Sequence, residues 1–281
     1  MFCIADRMRR SLEGAPKRAG IAPILLVGIV LLGGARSAGA QGDPTIGPGQ
    51  FPQFRNLSGL SGGGYGVDSQ GYSSLSGPTA LSTPIAHVLG RSHLRLEIAK
   101  ASFRLLPDFS GRGSNGTAII SYGQTVGRLN ILFSDMFKSG DLDQSYNCQI
   151  QYIPSPGAKW VGSIGVQDWN GNGGAAGTGV PGDNSVSRSV FGVVTYRWDT
   201  RENPVYLTLG AGRHRFRSLF GSVSYQVARP LRTWVEYDGF GVNLGVLLTA
   251  RTRRYGRPVE LNTTLGLLRG KYFFFSVGTG F

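Results

Sequence analysis

Lys271-Tyr272-Phe273-Phe274-Phe275-Ser276-Val277-Gly278-Thr279-Gly280-Phe281 decides how this chain folds. Phe273, Phe275, Val277, Thr279 and Phe281 fall on every second position, and a two-residue period places side chains on one face of a β-strand. The same period recurs upstream. Tyr146, Cys148, Ile150 and Tyr152 alternate with Asn147, Gln149 and Gln151. Leu219, Gly221, Val223, Tyr225 and Val227 alternate with Phe220, Ser222, Ser224 and Gln226. Val242, Leu244, Val246, Leu248 and Ala250 alternate with Asn243, Gly245, Leu247 and Thr249, and Val259 to Leu267 repeats the pattern against Glu260, Asn262, Thr264 and Gly266.

Twelve such runs are predicted, near 93–103, 117–124, 127–135, 144–154, 158–168, 188–198, 205–212, 217–228, 231–238, 241–250, 258–268 and 271–281. The first two are the least regular, so ten is the lower bound. Each run is about ten residues, the length a tilted strand needs to cross hydrocarbon. The expected fold is therefore all-β, a transmembrane up-and-down antiparallel barrel of 10–12 strands. Only helices and closed barrels satisfy every backbone polar group in lipid, and the chain has no second apolar run of helix-spanning length. An even count puts both ends of the barrel on one side. Short connections at 125–126, 155–157, 199–204, 229–230 and 251–257 then lie inside, the last of them long for an inner turn. The longest connection, 169–187, lies outside. Aromatics at strand ends (Tyr152, Trp160, Trp198, Tyr206, Tyr237, Tyr272) fit an interfacial girdle.

Three segments are expected. In residues 1–40, Arg7, Arg9, Arg10, Lys17 and Arg18 precede the apolar run Ile21–Leu32 and the small residues Ser37-Ala38-Gly39-Ala40. Basic leader, short apolar core and an A-x-A site at Ala38 and Ala40 make a secretory signal peptide. Residues 41–90 are rich in Gly, Pro and Ser. Composition favours a periplasmic lead-in, with a segment folded back as a plug as the alternative. Residues 91–281 form the barrel. Cleavage after Ala40 would remove six of 29 basic and two of 16 acidic residues, leaving 23 and 14, a formal net of +9. That charge attracts acidic partners. In an exported chain these are lipopolysaccharide and acidic polysaccharide rather than nucleic acid. Cys148 is then a lone cysteine, most simply a small apolar side chain.

The polar parity of the strands should face the lumen. Arg95, Glu97, Arg128, Asn130, Gln149, Gln167, Arg197, Arg232, Glu236, Asn243 and Glu260 are the expected lining. Four Arg against three Glu suit structural ion pairs and hydrogen bonds more than a selectivity filter, because unpaired buried charge is costly. Arg213, His214, Arg215 and Arg217 form a basic outer loop suited to phosphates or uronates, or to seating the barrel against lipopolysaccharide. Arg251, Arg253, Arg254 and Arg257 gather at the inner face, where a contact with acidic lipid head groups or a periplasmic partner and a plain solvated turn are equal readings. A hydrolase would need His214 with Ser218 and Asp238. No G-x-S-x-G motif and no metal-ligand spacing support one, so neither a catalytic residue nor a cofactor nor a metal is expected.

Phe273, Phe275, Val277 and Phe281 resemble the C-terminal signal by which barrel-assembly machinery recognises substrates for membrane insertion. A wider resemblance is carried by Gly77-Pro78-Thr79-Ala80-Leu81-Ser82-Thr83-Pro84-Ile85-Ala86-His87-Val88-Leu89 and the Leu94-Arg95-Leu96 strand after it. Val166-Gln167-Asp168-Trp169, Phe220-Gly221-Ser222-Val223 and Val235-Glu236-Tyr237-Asp238-Gly239 follow in order. Together, across residues 77–250, they resemble the YjbH-like proteins. The resemblance implies an outer-membrane barrel linked to exopolysaccharide production or export, with export proteins as partners. On the residues alone, a passive porin-like channel for small anionic solutes is the alternative, and a surface lipid or peptide hydrolase the third reading.

Overall fold

The computed structural model describes residues 66–101, 116–138, 144–170, 188–200, 203–213, 216, 219–239, 241–254, 257–268, 270 and 272–281. The signal-peptide expectation, with Ala38 and Ala40, lies outside these residues.

Twelve strands follow in chain order: β1 His93–Ala101, β2 Gly116–Val126, β3 Leu129–Lys138, β4 Gln144–Tyr152, β5 Trp160–Gln167, β6 Ser189–Trp198, β7 Val205–Gly212, β8 Phe220–Ala228, β9 Leu231–Tyr237, β10 Val242–Arg254, β11 Arg257–Leu268 and β12 Tyr272–Gly280. Each pairs antiparallel with its sequence neighbours, and β1 pairs with β12, so the sheet closes into a barrel. At the seam Leu94 and Phe281 exchange both backbone hydrogen bonds, each at 3.0 Å. Closure leaves no edge strand with unpaired N–H and C=O groups.

Alternation dictates the two faces. In β4, Asn147, Gln149 and Gln151 are buried inside while Tyr146 and Tyr152 are exposed outside. Asn243, Gly245, Leu247 and Thr249 of β10 face in, as do Glu260, Asn262 and Thr264 of β11. The outward set includes Ile98, Ile120, Ile164, Val190, Leu209, Leu244, Leu261, Phe273 and Phe275, all exposed. A surface this apolar, wrapped around a polar interior, is built for hydrocarbon rather than water. Among the described residues no helix is long and apolar enough to cross a membrane.

Both barrel ends, His93 and Gly280, fall on one side, together with the connections 127–128, 153–159 and 229–230. The long connections 102–115 and 168–188 fall on the other. Two turns differ from expectation. The β2–β3 turn sits at Gly127-Arg128 rather than 125–126, because Gly127 adopts the positive φ (59°) that a two-residue hairpin needs. Residues 251–257 are not a long inner turn. The β10–β11 ladder continues through Arg251↔Glu260 to Arg254↔Arg257, and the Arg251–Glu260 ion pair supports it.

The aromatic girdle is partly as expected. Tyr152, Trp160 and Trp198 are exposed at the strand ends near the termini, and Trp160 packs on Tyr196 with ring centroids 4.5 Å apart. Tyr206 is a correction: it is buried, turned inside against His87 with its ring edge-on at 5.8 Å.

Candidate functional site: an occupied lumen

Residues 66–92 run through the barrel interior. They enter at the rim that carries the termini, reach across the lumen, and return to the same rim at β1. The Gly/Pro/Ser-rich composition favours a periplasmic lead-in over 41–90, with a segment folded back as a plug as the alternative. From residue 66 onward the structure has the chain inside instead, where Thr79, Ala80, Leu81, Ile85, Ala86, Val88 and Leu89 are at most 1% exposed.

The entry is a small turn. Asp68 accepts the backbone N–H groups of Gln70 and Tyr72 on its carboxylate, and Val67 bridges Ser73. The turn is tied to the wall by Ser73 with Glu260, by the Arg251 guanidinium donating to Ser73 O at 3.0 Å, and by Gln151 Nε2 donating to Ser69 O at 2.7 Å. Arg232, buried on β9, donates to Gly77 O at 2.9 Å and Ser74 O at 3.1 Å. Gln226 Nε2 donates to Leu75 O at 3.1 Å.

The deepest point is held by Glu236. Its carboxylate accepts the backbone N–H groups of Leu81, Ser82 and Thr83, the hydroxyls of Ser82 and Thr83, and the Asn243 amide, at 2.8 to 3.3 Å. Three consecutive N–H groups turned on one anion form a concave nest. Such charge-assisted bonds are the strong ones, and they explain how a fully buried carboxylate is tolerated. Pro78 and Pro84 flank the nest, and neither has an N–H to place.

The return limb meets the opposite wall. Ala86 N–H donates to Thr195 Oγ1 at 3.0 Å, Gln149 Nε2 to Ile85 O at 2.7 Å, and Val88 N–H to Gln151 Oε1 at 2.7 Å. His87 Nδ1 lies 2.8 Å from Val67 O, which joins the two limbs. Apolar contacts fill the rest: Val67, Val88 and Leu89 pack on Leu132, and Ala86 sits with Val161, Phe191, Val193, Phe216 and Phe220. The segment is thus bonded to β9 on one side of the lumen and to β4 and β6 on the other.

Most of the expected lining faces this segment or its surroundings. Arg95, Glu97, Asn130, Gln149, Gln167, Arg232, Glu236, Asn243 and Glu260 are all buried. Two are corrections. Arg128 lies in the β2–β3 turn, exposed, with its guanidinium over the Tyr152 ring at 4.9 Å. Arg197 keeps the inward parity of β6 but stands at its last turn, half exposed, paired with Asp199 at 2.6 Å. Parity gives the face, not the height along the strand, and both arginines sit where the wall ends. The buried lining named above then carries Arg95 and Arg232 against Glu97, Glu236 and Glu260, so the excess of arginine disappears.

Arg213 is exposed at the far end of β7. His214, Arg215, Arg217 and Ser218 lie outside the described residues. Asp238 accepts the Gly241 N–H at 2.9 Å and the Asn243 amide at 3.1 Å. Among the described residues no group of three or more His, Cys, Asp or Glu side chains could hold a metal ion. What the sequence did not show is the partner of each lumen residue. A signal was present in Thr79, Ser82 and Thr83, short polar residues set among apolar ones, as a segment buried in a polar interior requires.

No family model matches the sequence, and no curated protein matches it. Among solved structures the likenesses are weak. The KdgM porin in complex with disordered oligogalacturonate shares 9% identity over 68% of this chain and 97% of its own, with a TM-score of 0.43. A mutant of Rh. blastica porin shares 12% over 59% of this chain and 55% of its own, with a TM-score of 0.32. Neisserial surface protein A shares 13% over 67% and 94%, with a TM-score of 0.19.

Proposed function

We propose that the chain is an outer-membrane β-barrel that performs no catalysis, closes its own lumen with residues 66–92, and serves exopolysaccharide production or export, or envelope structure. The observation that carries this reading is the seating of Leu81, Ser82 and Thr83 on Glu236, with Ala86 and Val88 bonded to the facing wall. A passage open at rest needs a continuous aqueous path, and here backbone occupies the centre of the barrel. The apolar outer face supports a membrane location. Outward-facing Phe273, Phe275, Val277 and Phe281 suit recognition by barrel-assembly machinery. The resemblance of residues 77–250 to the YjbH-like proteins supports the polysaccharide link, and acidic polysaccharide and export proteins are the partners it suggests.

Planar-bilayer conductance of the refolded chain, alongside heat-modifiable gel migration, tests the closed lumen. A folded barrel without discrete conductance steps is expected, and deletion of residues 66–90 should produce them. Steps from the intact chain would overturn closure and favour a passive channel. Removing the protein from its cell should lower surface polysaccharide or weaken the envelope barrier. If neither changes, the accessory role fails.

A further inference from the structure

The outer wall of the barrel is not filled evenly. On β4, β5 and β6 a groove of about 460 Å³ is lined by Cys148, Ile150, Ile164, Val166, Val190 and Gly192. Registers make these six one patch: Cys148, Val166 and Val190 lie in one row, and Ile150, Ile164 and Gly192 in the next. Ile164 and Val190 are 66% and 46% exposed, so the groove opens outward, into the apolar belt. The hollow arises at Gly192, whose neighbour in register on β7 is the small Ala211. A Cβ built on Gly192 meets nothing within 4 Å. Its volume is within the range of about 300 to 1,000 Å³ typical of ligand pockets.

A second observation lies at the groove's outer end. Arg188 precedes β6 by one residue and shares the outward parity of Val190; Arg213 follows β7 and shares that of exposed Ala211. Both are exposed. The Arg213 N–H donates to Val190 O at 2.9 Å, which brings Arg213 beside the groove lining. This is the barrel end that carries the long connection 168–188. Two exposed arginines therefore flank the Val190 end of an apolar hollow. Guanidinium binds phosphate through paired N–H donors, and an alkyl chain needs only apolar walls.

We propose that this groove, with Arg188 and Arg213, is a binding site for the lipid A part of lipopolysaccharide, one acyl chain lying in the groove and a phosphate against the arginines. The assignment rests on the outer-membrane reading, which makes the leaflet at this end the lipopolysaccharide leaflet. The lumen plays no part in it.

The test uses the full chain refolded in detergent, checked by heat-modifiable migration, with retained lipid counted by native mass spectrometry. Bisphosphorylated and dephosphorylated lipid A are the probes. The wild-type barrel should retain the phosphorylated form in preference. Gly192→Leu, which fills the hollow, should weaken retention of both forms about tenfold, the effect of losing a well-packed contact. Gly162→Leu is the control: Gly162 faces outward on β5 outside the groove, and a Cβ there also meets nothing within 4 Å. It should bind as wild type. Arg188→Ala with Arg213→Ala should erase the preference for phosphate while the variant stays folded. Equal retention by Gly192→Leu and Gly162→Leu, or equal retention of the two lipids by wild type, would overturn the site. Conductance by the intact chain would overturn lumen closure and leave the site untouched. A chain that never shows heat-modifiable migration would overturn both.

Discussion

Glu236 and Ser82 lie 154 residues apart in sequence and are joined twice, through the Ser82 N–H at 3.0 Å and the Ser82 hydroxyl at 2.8 Å, both to Oε1. The pairing fixes the innermost point of a segment that has no ladder of its own. Removing the carboxylate takes away the acceptor that the Leu81, Ser82 and Thr83 N–H groups, two hydroxyls and the Asn243 amide share, although Asn243 keeps its bond to Asp238. Glu236→Ala should loosen the segment by about 3 kcal/mol, since each buried donor left unpaired costs about 1–3 kcal/mol and the losses do not add in full. Glu236→Gln, which exchanges one acceptor for a donor, should fall between. Proteolysis within residues 75–90 of the folded barrel and the appearance of bilayer conductance measure the effect. Wild-type protection in Glu236→Ala would refute the latch.

Gly77 should tolerate no side chain. A Cβ there would lie 2.3 Å from Val67 N and 2.4 Å from Val67 O, backbone atoms at the start of the same entry limb. Gly77→Ala should therefore push the entry limb open, disturb the Arg232 bond to Gly77 O, and expose the segment to protease while the barrel still migrates as a folded species. Unchanged protease resistance would show that the entry limb has slack.

Two wall glycines should respond in opposite ways. At Gly245 a Cβ would meet Leu265 O at 2.5 Å and the Trp234 ring at 2.7 Å, whereas at Gly162 it meets nothing within 4 Å. Gly245→Ala should cost about 1–3 kcal/mol of barrel stability through overpacking. Gly162→Ala should be neutral or gain up to about 1 kcal/mol by restricting the unfolded chain. Urea-dependent folding into vesicles reads both.

Ile164, 66% exposed on the middle of β5, should report the solvent directly. Ile164→Arg should cost about 2–4 kcal/mol for folding into a bilayer, the expected penalty for arginine on the lipid face near the midplane. Little or no loss in vesicles would mean that this face does not meet hydrocarbon.

The wall was legible because alternation is a direct consequence of strand geometry. The parity read for β4, β8, β10 and β11 is the parity observed, down to Phe220, Ser222, Ser224 and Gln226 inside. Height was less legible. Arg128 and Arg197 share their strands' pattern, yet one sits in a turn made possible by Gly127 and the other at a rim beside Asp199. Arg251 and Arg254 looked like turn residues because they are charged, but cross-strand pairing carries the ladder past the apolar belt, where charge is no obstacle. The interior segment was least legible. Its partners are scattered over β4, β6, β8, β9, β10 and β11, so no local period marks it, and Gly and Pro look the same in a linker as in a chain folded around its own wall.

The seam has a kinetic meaning. Leu94 and Phe281 bond to each other, so the last contact of the barrel joins residues at nearly opposite ends of the strand order. Such a contact is costly to form, because the loop it closes spans the whole strand order. Until it forms, β1 and β12 are open edges, and the interior segment is attached directly to one of them. Residues 66–92 can therefore reach their seats from the side, between those edges, without threading a finished ring; once the seam shuts, the closed ladder bars that route.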